Sequence, residues 1–149
     1  MIALGSDHAG YPLKMEIIKH LEARNIEFRD YGCYSDESCD YAVFAEKTAK
    51  AVANGECEKG LLFCGTGVGI SIAANKVKGI RAACCSDEFS AEATRLHNDA
   101  NILCLGARVI NPEKAVKLVD LFLDTAFSGD ERHIRRIAQI TALEDNFGK

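Results

Sequence analysis

One stretch of the chain, Cys64-Gly65-Thr66-Gly67-Val68-Gly69, places a thiol directly before a glycine-rich loop. The thiol ends an apolar run, and a segment with helical periodicity follows the loop. Backbone N–H groups at the start of a helix can hold a negative charge, and their positive potential favours a thiolate. The spacing predicts that Cys64 is a nucleophile or general base beside an anion-stabilising loop. The alternatives are that the glycines serve only close strand–helix packing and that Cys64 is a small buried residue.

The glycine-rich loop lacks the residues of the common nucleotide sites. A dinucleotide fingerprint would need glycine at position 70, where the chain has Ile70, and no Gly-Lys-Ser or Gly-Lys-Thr follows. Gly5 and Gly10 have the outer spacing of a phosphate-binding loop, but Tyr11 and Pro12 stand where lysine and a hydroxyl residue are required. The sequence therefore predicts no nucleotide cofactor.

Two further pairs could carry protons. Asp7-His8 follows the first apolar run, where a carboxylate and an imidazole could shuttle protons or bind a phosphate. His97-Asn98 lies at the end of a helical segment. The alternatives are an Asx-turn and helix N-cap at Asp7, and a simple partner for the helix dipole at His97.

Arginines near the end of the chain could bind a phosphate. Arg132 and Arg136 are four residues apart and share one helix face, and Arg108 follows the fifth strand-like run. Guanidinium groups contact phosphate by forked hydrogen bonds. The alternative is a solvated face paired with Asp130 and Glu131.

Alternating strands and helices must position these residues. Continuously apolar runs predict strands at 2–5, 26–31, 60–64, 80–84 and 102–105. Helical periodicity predicts helices at 12–24, 41–53, 67–76, 86–97, 112–127 and 130–143. Because such strands are covered on both faces, we expect an α/β fold: one domain, residues 1–149, with a doubly wound, Rossmann-like, five-stranded parallel sheet and helices on both faces. Ligands bind beyond the carboxyl ends of such strands, so we expect the polar segments at residues 5–10, 64–69, 86–87 and 97–101 to converge on that one rim.

Composition narrows the class of protein. A net charge of −4 over 149 residues argues against a nucleic-acid surface, and no apolar run approaches the roughly 18 residues that span a bilayer. The start of the chain has no signal-peptide pattern. Seven cysteines without a CxxC pair predict reduced thiols in a cytoplasm and no metal site.

The chain resembles the B-type ribose-5-phosphate isomerases, a group that includes the galactose-6-phosphate isomerase subunits. The resemblance covers almost all residues and rests on five motifs in one order: Gly5-Ser6-Asp7-His8-Ala9-Gly10, Cys64-Gly65-Thr66-Gly67-Val68-Gly69, His97-Asn98-Asp99-Ala100-Asn101, Leu105-Gly106-Ala107-Arg108-Val109 and Arg132-His133-Ile134-Arg135-Arg136. It implies a cofactor-free conversion of ribose 5-phosphate to ribulose 5-phosphate through an enediolate, in the pentose phosphate pathway. A hexose 6-phosphate substrate, of the allose or galactose type, is the alternative within the group.

The resemblance also implies residue roles. Cys64 would move the proton between C1 and C2, and Thr66 with the amides of the glycine loop would hold the enediolate oxygen. The other implied assignments are ring opening by His97 with Asp7, a sugar-hydroxyl contact by Asn98, and substrate or phosphate contacts by His8, Gly65, Gly67, Gly69, Arg108, Arg132 and Arg136. Homodimers or dimers of dimers are implied, with active sites at the interface and arginines that reach the neighbouring subunit.

Two features separate this chain from other members of that group. Relatives commonly have Asp-Tyr-Pro where this chain has Asp40-Tyr41-Ala42. Tyr41 is expected to contact substrate, and the missing proline leaves the shape of the adjoining loop open. A second type uses a glutamate near position 72 as the base, but this chain has Ile72 there, which favours the cysteine type. A flavodoxin-like nucleotide-binding module and a thiol redox sensor are alternatives from other classes. The first lacks the nucleotide motifs, and the second lacks a resolving cysteine close in sequence.

Overall fold

Five strands form one sheet in the computed structural model, which describes residues 1–148. The strands are β1 (Ile2–Ser6), β2 (Phe28–Asp30), β3 (Lys59–Cys64), β4 (Ala82–Cys84) and β5 (Ile102–Gly106). Their order across the sheet is β2-β1-β3-β5-β4, and every neighbouring pair is parallel. The predicted doubly wound parallel sheet of five strands is therefore confirmed.

Six helices connect or follow the strands. They are α1 (Tyr11–Ala23), α2 (Tyr41–Ala53), α3 (Val68–Ala74), α4 (Glu88–Asn98), α5 (Pro112–Asp124) and α6 (Glu131–Asp145). All six predicted helices are present, and α2 has the predicted bounds. The fifth ends three residues earlier than predicted, because Thr125 has an extended backbone, with φ −95° and ψ 120°.

N-cap side chains fix the starts of two helices. The side chain of Asn111 accepts a hydrogen bond from the Lys114 backbone nitrogen at 2.8 Å and so caps the start of α5. Asp87 caps α4 in the same way through Ser90. Within residues 1–148, no helix is long and apolar enough to cross a membrane.

Helices cover both faces of the sheet and bury two apolar layers. One layer packs α1 and α5 against the sheet, and the other packs α2 and α3 against the opposite face. Successive residues of a strand face opposite sides. In β3, Leu61 and Phe63 therefore enter the first layer, whereas Leu62 and Cys64 enter the second. The alternation of side chains along β3 thus directs the Cys64 side chain towards α2 and α3.

Candidate active site

Several of the predicted site residues meet where the chain leaves the adjacent strands β1 and β3. Successive connections run to opposite faces of the sheet at this point, and such a crevice beyond the carboxyl ends of the strands is the usual ligand site of this architecture. We call this group the carboxyl-edge cluster. It contains Asp7, His8, Tyr41, residues 64–69 and Arg108.

Cys64 lies at the centre of the carboxyl-edge cluster. It is the last residue of β3, and its side chain is 5% exposed. The backbone N–H of Gly67 donates a hydrogen bond to Cys64 Sγ at 3.1 Å. This contact orients the sulfur and matches the negative charge that it would carry as a base. The Thr66 hydroxyl accepts from the Val68 backbone nitrogen at 3.2 Å, which orders the same turn.

The turn after Cys64 requires glycine at position 67. Gly67 has φ +81°, and a Cβ atom there would lie 2.9 Å from the Leu105 carbonyl carbon and 3.0 Å from Cys84 Sγ. Any other residue would be strained by its backbone and would collide with β5. The helix that follows, α3, has only seven residues. The individual N–H groups of the turn, rather than the dipole of a long helix, are therefore the groups that could stabilise an anion here.

The loop after β1 holds Asp7 and His8 next to this turn. Asp7 Oδ1 accepts a hydrogen bond from the Gly10 backbone nitrogen at 2.9 Å, so the Asx-turn considered from the sequence is present, whereas the N-cap of α1 is Gly10. The Asp7 backbone nitrogen donates to the Phe63 carbonyl of β3 at 3.2 Å. His8 Nδ1 accepts from the Cys39 backbone nitrogen at 3.2 Å. The last two bonds tie the loop after β1 to β3 and to the segment that contains Cys39.

Tyr41 and Arg108 flank the glycine loop. A Cβ atom on Gly69 would lie 2.9 Å from Tyr41 Cζ, and one on Gly65 would lie 3.3 Å from Arg108 Nη1. The Arg108 backbone nitrogen also donates to the Gly65 carbonyl at 2.9 Å. Larger residues at 65 and 69 would displace the guanidinium group and the phenol ring. The glycines thus let both side chains approach the turn.

A second thiol lies beside this turn and was not expected from the sequence. Cys84, exposed at the end of β4, donates a hydrogen bond from Sγ to the Thr66 carbonyl at 3.7 Å. Partial desolvation of its thiol, together with the nearby Cys64 sulfur, raises the pKa of Cys84, and burial raises the pKa of Cys85 to about 11. Because β5 lies between β3 and β4, and Cys64 and Cys84 pair with β5 two residues apart, their Cα atoms are more than about 10 Å apart by strand spacing. That separation is too long for a disulfide without backbone movement.

His97 and Asn98 lie at the opposite edge of the sheet. They end α4, which precedes β5, and Arg81 donates from Nε to the Asn98 carbonyl just before β4 begins. In a parallel sheet the starts of strands share the edge opposite to their carboxyl ends. The expectation that His97 and Asn98 share the rim of Cys64 is therefore wrong within one chain. The five residues of β5 separate the edges by about 16 Å.

A second group forms around His97, and we call it the amino-edge cluster: His97, Asn98, Arg132, His133 and Arg136. The rings of His97 and His133 stack with centroids 4.5 Å apart and planes inclined by 20°. Arg132 Nε lies 3.4 Å from His133 Nε2. His133 is 6% exposed. This burial, with positive charge on His97 and Arg132, lowers the pKa of His133.

The arginines of both clusters are available to an anion. Within residues 1–148, no carboxylate lies within 4.0 Å of the guanidinium groups of Arg108, Arg132 or Arg136. Pairing of Arg132 and Arg136 with Asp130 and Glu131, the alternative considered from the sequence, is therefore absent. The same part of the chain contains no group of three or more His, Cys, Asp or Glu side chains that could hold a metal ion.

The stacking of His97 on His133 was not predicted either. His133 stood between the two arginines of a motif, but its contact joins residues 36 positions apart and depends on how α6 meets α4. The fixed position of Asn98 was also hidden: its Oδ1 accepts from Thr94 Oγ1 at 3.0 Å. An i,i+4 pair of hydrogen-bonding residues was the available signal.

Comparisons with known proteins agree with this architecture. A family model described as Ribose/Galactose Isomerase matches residues 2–140. Ribose-5-phosphate isomerase B of Escherichia coli (strain K12) is 50% identical over 143 residues, covering 96% of this chain and 95% of the relative. A solved structure of Clostridium thermocellum ribose-5-phosphate isomerase B superposes with a TM-score of 0.96 at 49% identity and covers 99% of each chain. The Mycoplasma genitalium ribose-5-phosphate isomerase B, solved with bound ribulose 5-phosphate, superposes with a TM-score of 0.91 at 42% identity, covering 97% of this chain and 96% of that one.

Proposed function

The chain belongs to the Ribose/Galactose Isomerase family, and we propose that it interconverts D-ribose 5-phosphate and D-ribulose 5-phosphate in the pentose phosphate pathway. It is an aldose–ketose isomerase. The observation that carries this function to the site is the Cys64 sulfur, held 3.1 Å from the Gly67 amide at the carboxyl edge of the sheet. A base beside an anion-holding turn is what proton transfer next to a carbonyl needs.

The Cys64 thiolate removes the proton from C2 of the open-chain aldose and becomes a thiol. The electron pair moves into the C1–C2 bond, and the carbonyl oxygen acquires the negative charge of an enediolate. The backbone N–H groups of Gly65 and Gly69, with Thr66, hold that charge, while the Gly67 and Val68 N–H groups donate to Cys64 Sγ and the Thr66 hydroxyl. One donor to the enediolate can contribute about 100- to 1,000-fold in rate. The thiol then returns the proton to C1, and the proton of the C2 hydroxyl passes to the C1 oxygen, which leaves a ketone at C2 and a hydroxyl group at C1.

The proposal assigns ring opening to His97 together with Asp7, and one chain does not bring His97 to Cys64. In the proposal, His97 of a second copy performs this step with Asp7, and Asn98 of that copy binds a sugar hydroxyl. Apolar side chains are exposed beside both clusters: Val68 and Ile72 on α3, and Ile134 and Ile140 on α6. A second copy that covers these surfaces would unite the two clusters and bury apolar area. The proposed assembly is a homodimer, alone or paired into a dimer of dimers.

The phosphate lies away from the reacting carbons and serves to position them. His8 and Arg108 approach it from the chain that supplies Cys64, and Arg132 and Arg136 approach it from the second copy. Tyr41 contacts the sugar across Gly69. The proposal sets this chemistry in the cytoplasm, where thiols stay reduced: the seven cysteines are all unpaired in the structure.

Turnover of ribose 5-phosphate, measured beside turnover of allose 6-phosphate and galactose 6-phosphate, tests the substrate. We expect kcat/KM for the pentose phosphate to exceed both hexose values. A preference for either hexose phosphate would replace the proposed substrate and keep the reaction class. Absence of isomerisation of all three substrates would reject the proposed function.

A further inference from the structure

Lys14 is a lysine inside the apolar face of α1. It shares that face with Ile17, Ile18 and Leu21, and its side chain is 0% exposed. Its Nζ donates to Asp30 Oδ1 at 2.7 Å and to the Cys33 carbonyl oxygen. Burial of an ammonium group is costly, even when it is paired, and an apolar residue of similar size would often be as stable. The position of Lys14 therefore calls for a reason beyond stability.

Both partners of Lys14 lie at the start of one segment, residues 31–40. Cys33 is within this segment and Asp30 directly precedes it. We call this segment the 31–40 loop. Asp30 Oδ1 also accepts from the Gly32 backbone nitrogen at 2.9 Å. The loop then pairs with the end of β1: the Ser6 backbone nitrogen donates to the Gly32 carbonyl at 2.6 Å, and the Cys33 backbone nitrogen donates to the Ser6 carbonyl at 2.9 Å. Lys14 and Asp30 thus fix the loop next to the residue that precedes Asp7 and His8.

The far end of the 31–40 loop reaches His8. The Cys39 backbone nitrogen lies 3.2 Å from His8 Nδ1 and donates its hydrogen there. A backbone N–H can only donate, so Nδ1 of the neutral ring must be the bare nitrogen and Nε2 must carry the hydrogen. Phosphate and sugar oxygens are acceptors. The tautomer that the loop selects is therefore the one whose Nε2–H can donate to such an oxygen.

We propose that Lys14 and Asp30 are positioning residues for His8. Their buried ion pair fixes the 31–40 loop, and the Cys39 amide at the end of that loop holds His8 as its Nε2–H tautomer. The link to substrate binding rests on the proposed function, whereas the link to the His8 tautomer does not. Residues 34–38, which lie between the pairing with β1 and Cys39, are exposed to solvent, so loss of the ion pair at the start of the loop should release Cys39 from His8.

The experiment measures the His8 tautomer and the kinetics separately. Histidine labelled with ¹⁵N in the ring distinguishes a bare nitrogen from one that carries hydrogen, and His8→Gln assigns the signals. In the unmodified protein at a pH where His8 is neutral, Nδ1 should be bare and Nε2 should carry the hydrogen. In Lys14→Met the two tautomers should interconvert and average, and KM for ribose 5-phosphate should rise about 10-fold with kcat within about threefold.

Three further variants keep the test decisive. Asp30→Asn retains the shape and an acceptor oxygen but removes the charge, so it should change the tautomer and KM in the same direction even if Lys14→Met does not fold. Cys39→Ser keeps the backbone N–H and should leave the tautomer intact, which separates the amide from the thiol. Lys50→Met, which breaks the exposed pair with Glu46 on α2, is the matched lysine control and should change neither measurement.

A folded Lys14→Met or Asp30→Asn protein with the original His8 tautomer and the original KM would overturn the inference and leave Lys14 a stabilising residue only. The variants could lose the Nε2–H tautomer of His8 while the unmodified protein fails to turn over ribose 5-phosphate. That result would reject the proposed substrate but keep the positioning of His8. Normal turnover of ribose 5-phosphate, with an unaltered His8 tautomer in both variants, would keep the proposed substrate and reject the positioning of His8.

Discussion

The sulfur of Cys64 and the backbone nitrogen of Gly67 are 3.1 Å apart, and the amide hydrogen points at the sulfur. The donor lies in a turn whose φ of +81° only glycine adopts without strain. The acceptor ends a strand that is buried along almost its whole length. The base and the group that orients it are therefore both fixed before substrate binds, which makes the contribution of each measurable by substitution.

Removal of the thiol should abolish turnover while substrate still binds. Cys64→Ala and Cys64→Ser should lower kcat about 100- to 10,000-fold, the usual contribution of a positioned base, with KM within about threefold. Steady-state isomerisation of ribose 5-phosphate measures both constants. Cys57→Ala is the matched control, because Cys57 is also buried but precedes β3 at the opposite edge; it should retain kcat. Near-normal turnover by Cys64→Ala would assign the proton transfer to another group.

Glycine 67 should be needed for its backbone and for its space. Gly67→Ala should lower kcat and destabilise the protein by more than the roughly 1–2 kcal/mol that a positive φ costs alanine. Gly55→Ala separates the two causes, because Gly55 has φ +80° but a Cβ atom there meets nothing within 4 Å. Urea unfolding should show the backbone cost alone in Gly55→Ala, with full activity. Equal destabilisation of the two variants would mean that β5 yields to the added methyl group.

The carboxyl-edge cluster could be read from the sequence, but the full site could not. Asp7 and Arg108 follow strands and Cys64 ends one, and the rule that ligands bind beyond the carboxyl ends of strands put them on the rim where they lie. The same rule, applied to His97, would have put it at the other edge, since His97 precedes β5. The approach of Cys84 to the turn depends on β5 lying between β3 and β4. Strand order arises from packing over the whole sheet, and local periodicity does not encode it.

Acidification should weaken the amino-edge cluster through His133. Burial of the ring and the positive charges of its neighbours lower its pKa from the ordinary 6.5. Below pH 6.5 the unfolded chain therefore binds a proton at His133 before the folded chain does. The contribution of this group to stability is complete above about pH 6.5 and is lost as pH falls through the lowered pKa.

Proton NMR titration of the His133 ring should give a midpoint below 6.5. His97→Ala should raise that midpoint, because it removes both covering surface and a positive neighbour. Asp130→Asn should lower it further, since the Asp130 carboxylate acts in the opposite direction. A midpoint that His97→Ala leaves unchanged would show that the stacked ring does not influence the titration of His133.

Arg136 should act on the phosphate and not on the chemical step. Arg136→Ala should raise KM for ribose 5-phosphate about 10- to 100-fold, the range expected for a hydrogen bond between charged groups, with little change in kcat. Arg135→Ala is the matched control, because Arg135 is also exposed but lies about 100° around the same helix. It should change KM less than about threefold. A KM for Arg136→Ala equal to that of the unmodified protein would remove Arg136 from the phosphate site.

Two inactive variants should restore activity when their subunits mix. In the proposed dimer, each site takes Cys64 from one chain and His97 from the other. A mixed dimer of one Cys64→Ala subunit and one His97→Ala subunit therefore keeps one intact site. The other site of that dimer loses both groups. Random mixing makes about half of the dimers mixed, so co-refolding equal amounts should recover about a quarter of the unmodified activity.

The structure argues against a site in which one chain supplies both Cys64 and His97. The edges that carry Cys64 and His97 are about 16 Å apart along β5, and the α4 end that carries His97 is fixed by Arg81 and Arg95 through Asp99. Rearrangement within a chain would have to break these contacts. If each chain nevertheless supplied both groups, the mixed dimer would contain no intact site and mixing would restore nothing. Mixing Cys64→Ala with Cys64→Ser, which share the same lesion, is the control and should stay inactive.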